Sequence, residues 1–268
     1  MKNIRACFFD IDGTLVKSDH TISQPVIDAV QRLEREGVAP VIATGRSYEA
    51  LLPVKEKLGI HSPVICYNGA MIVDGKDGSV MTHHTIPDET ARKIIQKARD
   101  LDYHILAYRK GKLIYEKERA ESREYYNRIK LSGEVVNFDE LEKLNLTKCL
   151  IIADHGKLVP VQDFILSSYN NQINAFFSDP CFLEIVPSGI DKGKAVEEVM
   201  NLLGGTVDQA MAIGDGFNDL PMLGAARWGV IMENALPELR KLFPPERTAP
   251  LCDDDGVATY LSELFGWD

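Results

Sequence analysis

Ala6-Cys7-Phe8-Phe9 runs directly into Asp10-Ile11-Asp12-Gly13-Thr14. Two carboxylates therefore stand one residue apart at the end of a short apolar run. Residues i and i+2 of an extended chain share a face, so Asp10 and Asp12 crowd two negative charges together. Two arrangements account for such a pair. It can cap a helix or close an Asx turn, with Gly13 supplying a positive-φ bend. Alternatively, both carboxylates face a divalent cation at the carboxyl end of a buried parallel strand, the crevice where open α/β sheets bind ligands. A calcium loop of the EF-hand kind fails on spacing. With Asp10 at its first position, Leu15 stands where glycine is needed and Thr21 where glutamate is needed.

A cation site calls for more acid from another strand end. Ala210-Met211-Ala212-Ile213 leads into Gly214-Asp215-Gly216-Phe217-Asn218-Asp219, which supplies it. Oxygen-only ligation suits Mg²⁺, and no His/Cys cluster points to zinc. Asp219 taken alone fits N-terminal capping of the following helix as well as ligation. Ala43-Thr44-Gly45-Arg46 ends a third apolar run. It offers a hydroxyl and free backbone N–H groups before a helix, an anion site. Lys192 opens a helix within Asp191-Lys192-Gly193-Lys194, where the macrodipole disfavours a cation. Holding a phosphate would give it a reason. The stretch is no P-loop, because Gly189 to Gly193 leaves three intervening residues and Ala195 replaces Ser or Thr.

The elements that must carry these residues alternate strand and helix. An apolar strand over 4–9 is followed by a helix over 23–36, with Ser23 as its cap and Gly37 as its stop. A strand over 38–43, a helix from Ser47 to Leu58 and a strand over 63–67 follow. The texture returns after Lys192: a helix over 192–203 ending at Gly204-Gly205, a strand over 209–213, a helix over 218–226, a strand over 228–232 and a helix from about 235. Short apolar strands separated by helices predict right-handed βαβ units and a parallel sheet covered on both faces. Between the two halves, residues 83–187 read as an inserted α/β domain, with strands over 148–153, 173–177 and 182–186. The fold class is α/β, a doubly wound Rossmann-like core with an inserted cap domain.

The bulk numbers agree with a globular chain: 45% hydrophobic and 26% charged residues over 268 positions suffice for two domains. A formal charge of −10, with no dense Lys/Arg cluster, excludes nonspecific binding to nucleic acid or an anionic membrane surface. It does not exclude an anionic small substrate, because a metal ion or lysine can dominate a pocket. The five cysteines form no C-x-x-C pair, and three lie in apolar runs where a reduced, buried thiol is expected. No apolar run approaches the roughly 20 residues of a membrane span, and the N-terminus lacks a signal-peptide profile. The expected location is cytoplasmic. No heptad repeat or sticky helix marks an obligate protein partner. None of the six histidines has metal-ligand spacing. His83-His84 reads as an exposed linker, and Tyr125-Tyr126 and Phe176-Phe177 as core of the insert.

The motifs "DIDGT", "ATGR", "DKG" and "GDGFND", in that order, resemble the four signatures of the haloacid dehalogenase superfamily. The insert falls between the second and third, the place of a C2-type cap. Tyr67-Asn68-Gly69-Ala70, "IMENALPELRKL" and "DDDGVATYL" are similar to the Cof-like, type IIB branch of phosphatases. The resemblance covers the core, residues 1–82 and 188–268; the cap, 83–187, matches in position and size rather than sequence. Two departures are peripheral: Glu233 stands where the family commonly has glycine, and the 243–254 segment is unusually rich in proline.

The resemblance implies an enzyme, a Mg²⁺-dependent phosphomonoester hydrolase working through an aspartyl-phosphate on small phosphorylated metabolites, sugar phosphates first. It implies Asp10 as nucleophile and Asp12 as general acid, then base. Asp10, the Asp12 carbonyl and Asp215 would hold the metal, with Asp219 supporting it directly or through water. Thr44, Gly45, Lys192 and Asn218 would hold phosphoryl oxygens, and Arg46, Asn68 and Gly69 are candidate substrate contacts. Arg46 fits a sheet-end ion pair equally well. A sugar phosphomutase of the same chemistry and a non-catalytic phosphate sensor or scaffold are the alternatives, separated by product analysis.

Overall fold

A computed structural model describes residues 3–120, 123, 125, 126 and 132–267. In chain order its elements begin β1 (Ala6–Phe9), α1 (Gln24–Arg35), β2 (Ala39–Ile42), α2 (Tyr48–Leu58), β3 (Val64–Cys66), β4 (Met71–Val73), β5 (Val80–His83) and α3 (Asp88–Asp100). They continue β6 (His104–Arg109), β7 (Lys112–Tyr115), β8 (Glu134–Val135), β9 (Leu146–Ile152), α4 (His155–Tyr169), β10 (Ile173–Asp179) and β11 (Phe182–Pro187). The chain closes with α5 (Lys192–Leu202), β12 (Ala210–Gly214), α6 (Leu220–Ala225), β13 (Trp228–Met232), α7 (Pro237–Arg240), β14 (Thr248–Ala249) and α8 (Gly256–Phe265).

Two compact units result. One comprises residues 1–46, 51–82 and 191–268; the other comprises 47–50 and 83–190. The first is built on a parallel sheet of order β14-β13-β12-β1-β2. A parallel bridge from Ala43 to Ile65 brings β3 beside β2, and β3 then turns antiparallel into β4 and β5. β1 lies in the middle, with both neighbours parallel and all four residues buried. Hence its sequence is a continuous apolar run rather than an alternation. Ala6, Phe8, Val41, Ala43, Ala210 and Ala212 point to one face and pack on Val196, Val199 and Met200 of α5 and Met222 and Leu223 of α6. Phe8 and Phe9 are fully buried, which stabilises the sheet by roughly 1.5–3 kcal/mol each.

The α1 boundary matches the apolar spacing of Val26, Val30 and Leu33, all buried. Ser23 stands at its N-cap but makes no side-chain capping bond. Pro25 occupies N2 and has no N–H to offer the hydroxyl. The helix expected from 235 is a single turn, Pro237–Arg240.

The second unit carries a six-stranded sheet of order β10-β11-β9-β6-β7-β8, antiparallel except for the β7–β8 pair. Alternate residues Ile105, Ala107, Cys149, Ile151, Leu183, Ile185, Ile173 and Ala175 share one face. They form a core with Ile94 and Ile95 of α3 and Leu158, Val161 and Ile165 of α4. Tyr125 is buried and its hydroxyl lies 3.0 Å from that of Tyr108. Phe177 packs on the core, whereas Phe176, its neighbour on a strand, faces the other way and is half-exposed. The His83-His84 linker is not solvent-exposed: both residues are half-buried, because His83 ends β5 and its Nε2 lies 2.7 Å from Thr147 Oγ1. All five cysteines are free thiols, and only Cys181 is exposed. Among the described residues no helix is long and apolar enough to cross a membrane.

Candidate active site

The parallel register puts three strand ends on one edge. The Asp10 N–H donates to Ile213 O at 3.0 Å, and the Ala43 N–H donates to Phe9 O at 2.8 Å. The residues that follow β1, β2 and β12 therefore converge at their carboxyl ends, the ligand edge of an open α/β sheet.

Lys192 is the centre of that edge. It is wholly buried, and its Nζ donates to Asp10 Oδ1 and to Asp219 Oδ1, each at 2.6 Å. Asp191, the N-cap of α5, accepts from the Lys194 N–H at 2.9 Å and so fixes the turn that launches the lysine. A cation at N1 is disfavoured by the helix dipole, and two carboxylates offset this. Asp219 does not cap α6. Its Oδ2 accepts instead from the backbone N–H groups of Asp215 (2.9 Å) and Gly216 (2.8 Å), which holds the turn after β12. Asp215 receives the Thr14 hydroxyl at 3.5 Å. Gly13 has φ +80, and a Cβ there would sit 2.4 Å from Asp215 Oδ2. Only glycine allows both the bend and the approach.

The charges do not balance within the protein. Carboxylate oxygens of Asp10, Asp215 and Asp219 lie within 4.8 Å of one another, and Lys192 supplies one positive charge among them. Burial pushes the Asp10 carboxyl up to about 7, with Asp219 and Asp215 adding to the rise and Lys192 opposing it. Burial, then Asp219, pushes Asp215 up to about 6. Burial pulls the Lys192 ammonium down, but Asp10 and Asp219 outweigh it and hold the group above its ordinary value. A hard divalent cation with a preference for oxygen fits this donor set.

Asp12 stands apart from the cluster. Its carboxylate is held by Arg46, which donates Nε to Oδ2 at 2.9 Å and a terminal nitrogen to Oδ1. Arg46 thus forms an ion pair at the sheet end. Thr44 is buried, and its Oγ1 accepts from the Arg46 N–H at 3.2 Å. The Asn218 amide donates to Asn68 Oδ1 at 3.2 Å, and the Asn68 side chain lies against Gly45. Thr44, Gly45, Asn68 and Asn218 are thus linked around one rim. Gly69 has φ +107 and presses on the Asp191 carbonyl, where a Cβ would sit at 2.5 Å, so close packing accounts for its identity. Thr14 and Asn234 are additional polar groups of the loop. The Asn234 amide donates to Gly13 O at 2.8 Å, a contact across 221 residues that no local pattern announces.

A five-stranded parallel sheet whose strand ends gather Asp10, Lys192, Asp215 and Asp219 defines a class of hydrolase. The chain belongs to the haloacid dehalogenase-like hydrolases, whose family model matches residues 7–261. It is 28% identical over 257 residues to the HMP-PP phosphatase of Yersinia pseudotuberculosis, covering 96% of this chain and 94% of that protein. A haloacid dehalogenase-like hydrolase from Bacteroides thetaiotaomicron superposes with a TM-score of 0.88 at 30% identity, covering 98% of this chain and 100% of that one. The subclass IIB sugar phosphatase BT4131 shares the fold, with a TM-score of 0.79 at 23% identity over 98% and 100% of the two chains.

Proposed function

We propose that this protein is a Mg²⁺-dependent phosphomonoester hydrolase that acts on small phosphorylated metabolites through an aspartyl-phosphate at Asp10. The observation that carries the reading is the buried Lys192 ammonium bridging Asp10 and Asp219, with Asp215 in the same cluster. Asp10, Asp215 and the Asp12 carbonyl would hold the metal. Both oxygens of Asp219 are already engaged, so it supports the site through Lys192 and the 214–216 turn. Bound Mg²⁺ would shield the anionic nucleophile from the anionic phosphate.

An Asp10 oxygen bonds to phosphorus as the ester P–O bond breaks, and Asp12 gives the departing oxygen a proton. Water then bonds to the same phosphorus and passes a proton to Asp12. The acyl-phosphate P–O bond breaks, which releases inorganic phosphate and restores the Asp10 carboxylate. Lys192 has three ammonium protons, and its two carboxylate contacts leave one for a phosphoryl oxygen. The Thr44 hydroxyl, the Gly45 N–H and the Asn218 amide complete the grip on the transferring group. Arg46 must release the Asp12 carboxylate before that group can carry a proton. Residues 83–187 serve as the cap expected of the family.

Sugar phosphates are the first substrates to test, beside HMP-PP, which gives the Yersinia relative its name, and phosphorylated cofactors. Phosphate release is measured with and without Mg²⁺ for the wild type and Asp10→Asn. Metal-dependent turnover that vanishes in the variant is expected. Isomerised sugar phosphate without phosphate release would replace this reading with a mutase, and bound but unchanged ligand would replace it with a sensor.

A further inference from the structure

The loop that follows the two aspartates is held from the far end of the chain. Asn234 donates its amide to Gly13 O at 2.8 Å and accepts the Cys252 N–H on Oδ1 at 2.9 Å. The buried Cys252 thiol lies 3.2 Å from Thr14 O and 3.3 Å from Val16 O. The carbonyls of positions 13, 14 and 16 thus lie against donors of residues 234 and 252, the single S–H of Cys252 being shared between Thr14 O and Val16 O. Further out, Asp253 accepts both the N–H and the hydroxyl of Ser18 at 2.8 Å, and Lys17 pairs with Asp255 at 2.7 Å.

This bracing bears on the acidic cluster. Gly13 abuts Asp215 so closely that no Cβ fits between them, and Thr14 reaches Asp215 with its hydroxyl. A shift of a few tenths of an ångström in the 13–16 backbone therefore moves the surroundings of one cluster carboxylate. The turn has bonds of its own, since Ile11 O accepts the N–H groups of Thr14, Leu15 and Val16 and the Gly13 N–H donates to Val16 O at 3.1 Å. These fix its shape and not its place against the rest of the unit, which the contacts from residues 234 and 252 supply.

We infer that Asn234 and Cys252 are positioning residues: together they fix the 13–16 backbone so that Asp215 stands ready for the cation. The inference rests on the functional reading above. The amide of Asn234 is the principal donor, because a thiol is a weak one. The Cys252 backbone N–H in turn orients that amide, so the two residues work as one brace.

The test is Mg²⁺ affinity, read by calorimetry and by thermal shift on the whole chain, for Asn234→Ala, Cys252→Ala and Cys252→Ser. Amide exchange of residues 12–18 is followed in metal-free buffer. The expected result is a roughly 5–20-fold weaker Mg²⁺ affinity and faster exchange of the loop in both alanine variants, from loss of two brace bonds in Asn234→Ala and of the thiol contact in Cys252→Ala. Cys252→Ser, which keeps a donor, is expected within about twofold of the wild type. Asn234→Asp keeps the acceptor for the Cys252 N–H and loses the donor to Gly13 O, so it isolates the Gly13 bond if the alanine variant does not fold. Wild-type Mg²⁺ affinity in the alanine variants, whatever their melting temperature, would overturn the brace and leave the phosphatase reading intact. No Mg²⁺ binding in the wild type would overturn the metal reading, and the brace with it.

Discussion

Replacing Lys192 with methionine tests the charge arrangement directly. The side chain is wholly buried and its Nζ lies 2.6 Å from each of two carboxylates. Methionine has a similar length and volume, so the substitution removes charge without opening a cavity. Taking one partner out of a buried ion pair destabilises by about 3–5 kcal/mol. At ~2–4 °C per kcal/mol for a unit of this size, the melting temperature should fall by roughly 6–20 °C in metal-free buffer at pH 8. Asp10 already sits at about 7 instead of the ordinary 3.8, and it rises further once the ammonium is gone. A carboxyl raised in the folded state contributes stability below its unfolded value and loses it as pH climbs through its folded value. The deficit of the variant is therefore largest near pH 8 and shrinks toward pH 5, where Asp10 is neutral. Denaturant titrations of both proteins at the two pH values measure this. A variant within about 1 kcal/mol of the wild type at pH 8, or a deficit that grows on acidification, would refute the reasoning.

Three further outcomes are expected. If Mg²⁺ binds as proposed, it displaces protons from Asp10, at about 7, and Asp215, at about 6. Its affinity should therefore rise between pH 5 and 7 by up to ~10-fold per pH unit for each protonated ligand, as read by calorimetry. Gly13→Ala meets both the positive φ and Asp215 Oδ2 at 2.4 Å. It should lose ~1–3 kcal/mol of stability in denaturant titrations, together with most Mg²⁺-dependent phosphate release. Arg46→Ala breaks a partly exposed pair with Asp12. Its stability should change by less than about 1 kcal/mol, while phosphate release is maintained, because Asp12 no longer has to leave the guanidinium before it carries a proton.

What could be read from the sequence follows from where the information lies. The parallel core was legible because its strands are short and apolar and end in polar turns, and because Gly37 and Gly204 mark helix ends. Asp10, Asp215 and Asp219 were legible as candidates because the same residue types recur after two such strands. The choice for Asp219 between capping a helix and ligating a metal was not, since both use the same carboxylate. The structure shows a use that neither pattern announces: Oδ2 accepts the N–H groups of Asp215 and Gly216 and does not cap α6. In the second unit β6 escaped notice because His104 to Tyr108 are all buried, so the period-two alternation that marks a half-buried strand is missing. β4 is only three residues long and gives no period at all. Asn234 and Cys252 act on backbone carbonyls 221 and 238 residues away, and a carbonyl carries no sequence signature.

The site lies within one compact unit although residues 83–190 of the second unit intervene in sequence between Thr82 and Asp191. Closing a long loop costs little more than closing a shorter one, because the entropy grows only with the logarithm of length. The insertion is tolerated if the return of the chain is fixed strongly at one point, and the Lys192 contacts supply that point. Gly69 presses on the Asp191 carbonyl, and Lys192 joins the end of β1 to the turn after β12. The same ammonium therefore seats the helix that follows the insertion and partly neutralises the carboxylates beneath it. That double duty explains a lysine at a helix N-terminus, where the dipole alone would select against one.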